Sequence, residues 1–144
     1  MMTPDQLDNW FRYHAPTDET RPKYAAIRVA EEAAHVAIAH VKAGRAWDGD
    51  ANGIVTPDTK ADFQRLAYAY VNQTCRAFAV VIDQSAPDSA DKSAAIRCVR
   101  LARNCVNEGV ALGLAADVFC WTQAQEQLRL ARFQANSAIA CGGK

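Results

Sequence analysis

No apolar run in this sequence approaches the ~20 residues that a membrane-spanning helix needs. The opening MMTPDQLDNW also lacks the basic and apolar stretches of a secretory signal. Neither anchoring nor export is expected, so the protein should stay in the cytoplasm where it is made. Charge of one sign is not in excess either, since 16 basic side chains match 16 acidic ones. Long-range attraction to duplex nucleic acid or to an anionic membrane therefore has no source. A phosphate-bearing partner would have to be met by a local arrangement of charge. Runs of alternating β-branched and polar residues are missing, which argues against a sheet. The cysteines, Cys75, Cys98, Cys105, Cys120 and Cys141, are odd in number and include no C-x-x-C pair. They suit reduced thiols used mostly as small core residues. No Ser-His-Asp, Cys-His or P-loop pattern occurs, and the acidic residues form no recognisable acid–base pair. Binding is expected, and catalysis is not.

Two patterns resemble metal sites and fall short. Asp48-Gly49-Asp50-Ala51-Asn52-Gly53 reads like the first half of a calcium loop, but Thr59 stands at the twelfth position, where a bidentate glutamate is needed. Glu32-x-x-His35 has the spacing of a di-iron half-site, yet such a site needs a second copy and further carboxylates. No metal and no cofactor are expected.

What the sequence does contain is helix. Half of its residues are hydrophobic, and Ala-rich segments place them three and four apart. Thr3-Pro4-Asp5-Gln6 starts a short helix through about Phe11. A second begins between Thr17 and Lys23, carries Ile27, Ala30, Ala34, Ile38 and Val41 on one face, and ends at Gly44. The turn-rich stretch 47–53 leads to Thr56-Pro57, which opens a third helix reaching about Asp83. After the SAPDSAD turn, Ser89 or Asp91 caps a fourth helix ending at Leu112, and a fifth runs from about Ala115 to Ala140. The 144 residues suffice for one all-α domain and not for two.

An internal similarity runs through these helices. Val99-Arg100-Leu101-Ala102-Arg103 and Leu128-Arg129-Leu130-Ala131-Arg132 are followed at equal spacing by Asn107 and Asn136, then by Val110-Ala111 and Ile139-Ala140. Tyr24-x-x-Ile27 stands similarly against Tyr68-x-x-Val71. The expectation is two helical hairpins per chain in a nested duplication, residues 1–43 closing with 121–144 and receiving residues 56–113 between them.

Three stretches carry a resemblance. Leu7-Asp8-Asn9-Trp10-Phe11-Arg12-Tyr13-His14-Ala15-Pro16-Thr17 fits an L-D-N-x-F-x-Y-H-x-P entrance, Ala135-Asn136-Ser137-Ala138-Ile139-Ala140 an A-N-x-A-I-A ending, and Asp91 to Arg100 lies between them. Together they resemble the phage anti-CBASS cyclic-oligonucleotide sponge family. The resemblance implies a compact homo-oligomer of helical hairpins that sequesters cyclic dinucleotides, or larger cyclic trinucleotides and cyclic ADP-ribose derivatives, without cutting them. Such a protein counters anti-phage signalling in the cytoplasm of the bacterial host. With two hairpins per chain, a trimer could form the family's shell as a pseudo-hexamer.

The same resemblance implies that Tyr13 stacks on a base and that Arg28 binds phosphate, with His14 and Lys23 nearby. In the inserted hairpin Asn72 stands where Arg28 has its counterpart, and no Tyr-His-x-Pro precedes its first helix. Arg97, Arg100, Arg103, Arg129 and Arg132 are further candidates for phosphate, against the plain reading of solvated or ion-paired arginines. Asn107 and Asn136 sit at equivalent points of apolar helices, where a buried amide must find either a core partner or a ligand. The rival expectation is a helical protein–protein interaction module or small phage structural protein, which would not require the Tyr-His-x-Pro entrance.

Overall fold

The computed structural model describes residues 3–4, 17–45, 57–112 and 117–141. Within them lie α1 (Arg21–Arg45), α2 (Pro57–Ser85), α3 (Ala90–Leu112) and α4 (Asp117–Cys141), with no strand among the described residues. The all-α expectation holds for these residues. Most of the short N-terminal helix, Tyr13, His14 and the Asp48–Gly53 turn lie outside them.

Helix starts fall where polar side chains can satisfy the first free amides. Before α1, the Thr17 N–H donates to Thr20 Oγ1 (2.9 Å) and the Thr20 N–H donates back to Thr17 Oγ1 (3.2 Å), a reciprocal cap. Pro57 opens α2, where its missing N–H costs nothing. Ser89 caps α3 by accepting the Lys92 N–H at 3.1 Å, which decides between the two cap candidates.

The helices run alternately up and down. The start of α3 is tied to the end of α2 by Lys92 Nζ, which reaches Asp83 Oδ1 at 3.1 Å and Asp88 Oδ1 at 2.9 Å. The end of α4 is tied to the start of α3 by Ser137 Oγ, which donates to Asp91 Oδ2 at 3.1 Å. Each helix packs on its neighbours in the chain, and α4 closes the ring onto α1. The interfaces α1/α2 and α3/α4 are the larger pair, and α1/α4 and α2/α3 are smaller and equal in extent.

The apolar faces meet in one core. Ile27, Ala34, Ile38 and Val41 of α1 are buried, with Ala30 half-buried beside them. They face Val71, Phe78 and Ile82 of α2, Val99 and Val106 of α3, and Trp121 and Leu128 of α4. Alanines at 95, 102, 124, 131 and 135 are fully buried, and their small side chains let α3 and α4 approach closely. Cys75, Cys98 and Cys120 are buried and Cys105 half-buried, while Cys141 is exposed; all are free thiols. Burial pushes the Cys75 thiol up to about 11, so it stays protonated as a small apolar side chain should.

Candidate site in the groove between the first and last helices

On α1, Arg21, Tyr24 and Arg28 recur at helical spacing and therefore share one face. On α4, Arg132 and Asn136 are one turn apart and do the same. The ring closure brings the two faces together, and with Ala25 they line an open groove of about 460 Å³.

The groove is cationic although the chain is neutral overall. Arg28 is exposed and makes no ion pair among the described residues. Arg21 meets Asp18 at 3.4 Å, but that pair is so exposed that solvent largely screens it. Arg132 is held differently. Its Nε donates to both oxygens of Glu31, at 2.8 and 3.0 Å, and its guanidinium lies 4.6 Å from the centre of the Phe133 ring. Both contacts fix the guanidinium plane, and the two Nη groups make no hydrogen bond among the described residues. They remain available to a bidentate anion.

Tyr24 is half-buried and belongs to the groove lining. Its phenol is pushed above the ordinary range, first by burial and then by Cys141, so it stays a protonated, uncharged surface against which a base can stack. Asn136 is 8% exposed, and its Oδ1 is buried with no hydrogen-bond partner among the described residues. An orphaned amide oxygen costs roughly 1–3 kcal/mol. A ligand N–H or O–H entering the groove would satisfy it.

Glu31, the partner of Arg132, is buried on α1 with its carboxyl raised above the usual range; desolvation outweighs the opposing pull of Arg132 and Arg129. One turn on, His35 Nε2 lies 3.9 Å from Glu31 Oε1. Its imidazole is held below the ordinary value by burial first, then by the positive charges of Arg129 and Arg132. A depressed histidine contributes stability that is present above its unfolded pKa and lost as pH falls through the folded one. The protein is therefore expected to lose stability below about pH 6.5, the ordinary imidazole value. His35→Gln should flatten that part of a melting-temperature profile. Unchanged slopes in the two proteins between neutral pH and pH 5 would remove His35 from the acid limb.

Of the residues singled out from the sequence, Arg28, Arg132 and Asn136 come together in this groove. Arg129 is exposed on α4 and acts on Glu31 and His35 through its charge, without lining the groove. Lys23 lies elsewhere, in a cavity of about 420 Å³ between Thr17, Glu19 and Thr20 and the α2 end at Gln84 and Ser85. Arg97 and Arg100 are exposed on α3. Asn107 is half-buried on α3, and its Oδ1, like that of Asn136, has no hydrogen-bond partner among the described residues. In the sequence Tyr24 marks only the register of the internal repeat, and Arg21 belongs to no motif. Their spacing with Arg28 on one helix face was the available signal. Among the described residues, no three His, Cys, Asp or Glu side chains gather in a metal-binding group.

Comparison of the chain with known protein families, with curated proteins and with solved structures finds no match.

Proposed function

We propose that this protein is a sponge that binds cyclic oligonucleotide signals and sequesters them without cleavage, countering anti-phage signalling in the host cytoplasm. One observation carries this reading: Arg28, Arg132, Tyr24 and the orphaned Asn136 oxygen converge on one groove. Guanidinium groups suit phosphates, an aromatic ring suits a base, and an unpaired acceptor suits a base N–H. The L-D-N-x-F-x-Y-H-x-P entrance, with Tyr13 and His14, supports the same ligand class by resemblance. The neutral net charge agrees with it too, because affinity then depends on the local groove and not on a long-range field.

Native mass spectrometry with cyclic dinucleotides, cyclic trinucleotides and cyclic ADP-ribose derivatives tests the proposal, since it reports ligand and oligomer together. A trimer with bound, unmodified ligand is expected. Linear products released on denaturation would make the protein an enzyme instead. Stacking on one base contributes roughly 1–3 kcal/mol, and a charge-assisted hydrogen bond about 1.5–3 kcal/mol. Tyr24→Ala and Arg28→Ala should each weaken binding about tenfold to a hundredfold, with circular dichroism unchanged because Arg28 is exposed and Tyr24 only half-buried. Unaltered affinity in both variants would move the site elsewhere, with Tyr13→Ala as the next variant to measure.

A second reading has its own observation. Val29 and Val36 on α1 are 60% and 49% exposed, and Leu66, Tyr70 and Val80 on α2 are also exposed. Apolar side chains at heptad-like spacing on the outside of a bundle suit another helix. They support assembly of this chain with itself into the proposed pseudo-hexamer, or else an interaction module with no nucleotide ligand. A protein that binds none of the panel would favour the latter.

A further inference from the structure

One constant shift along the chain carries Arg21, Tyr24 and Ile27 of α1 onto Arg65, Tyr68 and Val71 of α2, and another carries Arg132 and Asn136 of α4 onto Arg103 and Asn107 of α3. The three-dimensional structure respects both shifts. Ile27 and Val71 are fully buried, as are Ile38 and Ile82, and Tyr24 and Tyr68 are both half-buried. Ala131 and Ala102 are fully buried, and Arg132 and Arg103 are half-buried. The α1/α4 and α2/α3 interfaces are similar in extent, in keeping with an internal two-fold relation between the hairpins. Glu31 maps onto Cys75, and both are buried. Arg132 bonds to Glu31, and the charge of Arg103 correspondingly reaches Cys75. Finally, among the described residues the buried side-chain oxygens without a hydrogen-bond partner include Asn136 Oδ1 and Asn107 Oδ1, one in each half.

We propose that the α2/α3 interface carries a second nucleotide-binding groove, formed by Arg65, Tyr68, Asn72, Arg103 and Asn107, so that each chain binds two ligands. The proposal rests on the nucleotide-binding reading of the α1/α4 groove. The two grooves differ in chemistry at two positions. Asn72 replaces Arg28, and its Nδ2 donates to the Tyr68 carbonyl at 3.0 Å, so one cation is lost from the rim. Cys75 replaces Glu31, and among the described residues no carboxylate pairs with Arg103. Losing a charge-assisted phosphate contact costs about tenfold to a hundredfold in affinity. The α2/α3 groove is thus the weaker site, with one cation fewer on its rim than the α1/α4 groove, which engages phosphate through Arg28 as well.

Isothermal titration calorimetry with cyclic di-AMP, cyclic di-GMP and cyclic ADP-ribose, combined with native mass spectrometry, tests this on the intact chain. Two ligand equivalents per chain are expected, in a strong and a weak phase. Arg103→Ala should remove the weak phase and leave the strong one. Asn72→Arg restores the missing cation, and should tighten the weak phase about tenfold to a hundredfold. That gain cannot come from misfolding. A single equivalent per chain that disappears in Arg28→Ala combined with Asn136→Leu, and is indifferent to Arg103→Ala and Asn72→Arg, overturns the second groove while leaving the first intact. Absence of binding by all three probes overturns both.

Discussion

Arg132→Met is expected to destabilise the bundle by about 3–5 kcal/mol at neutral pH, because it leaves a buried carboxylate without its partner. For a chain of this size that is a fall of roughly 10 °C in melting temperature. Glu31 is the reason for so large an effect. Its side chain is only 8% exposed, and its bonds to Arg132 Nε span α1 and α4. With an unbranched apolar side chain in place of the arginine, the packing of its stem is largely kept and the charge is not compensated. Acid should repair the damage. The Glu31 carboxyl is already raised by burial, so it contributes stability below its unfolded pKa that is lost as pH rises through the folded one. Without Arg132 that pKa rises further, and the gap between variant and native protein narrows as pH falls toward 5. Glu31→Leu combined with Arg132→Met removes both charges and should recover most of the loss even at neutral pH. Denaturant melts at two pH values decide the matter, and a gap independent of pH would show that Arg132 acts through packing alone.

Asn136→Leu should make the protein more stable and a poorer binder. Leucine has the same branched skeleton as asparagine but brings no orphaned oxygen, so the variant avoids the roughly 1–3 kcal/mol that an unsatisfied buried acceptor costs. In the proposed complex the same oxygen accepts a hydrogen bond from the ligand, and its loss should weaken binding tenfold or more. Opposite changes in the two measurements identify a residue kept for its ligand and not for the fold. A core asparagine that simply serves packing would show the reverse, with lower stability and unchanged affinity. Thermal melts and calorimetry on one preparation separate the two cases.

Asn136 also shows where sequence reading reached its limit. Its position in the A-N-x-A-I-A ending and its recurrence as Asn107 were visible, and so was the choice between core partner and ligand. The choice could not be made from residue type, since whether an amide oxygen finds a donor is a matter of atoms placed by another helix. Arg132 was likewise one arginine among five at helical spacing. Its pairing with Glu31, about a hundred residues earlier, depends on how α4 closes on α1.

The sequence by itself determined the helical class, the faces that became the core and most of the helix starts. Local physics suffices for these: the spacing of apolar residues sets which side of a helix is buried, and a threonine, serine or proline at the right position satisfies or spares the first amides. Tertiary structure alone decided which polar faces oppose one another. Periodicity places Arg21, Tyr24 and Arg28 on one stripe, and Arg132 and Asn136 on another, but it carries no information on the angle at which two helices meet. The groove exists because burying the apolar faces of α1 and α4 turns their polar stripes toward each other at the edge of the core.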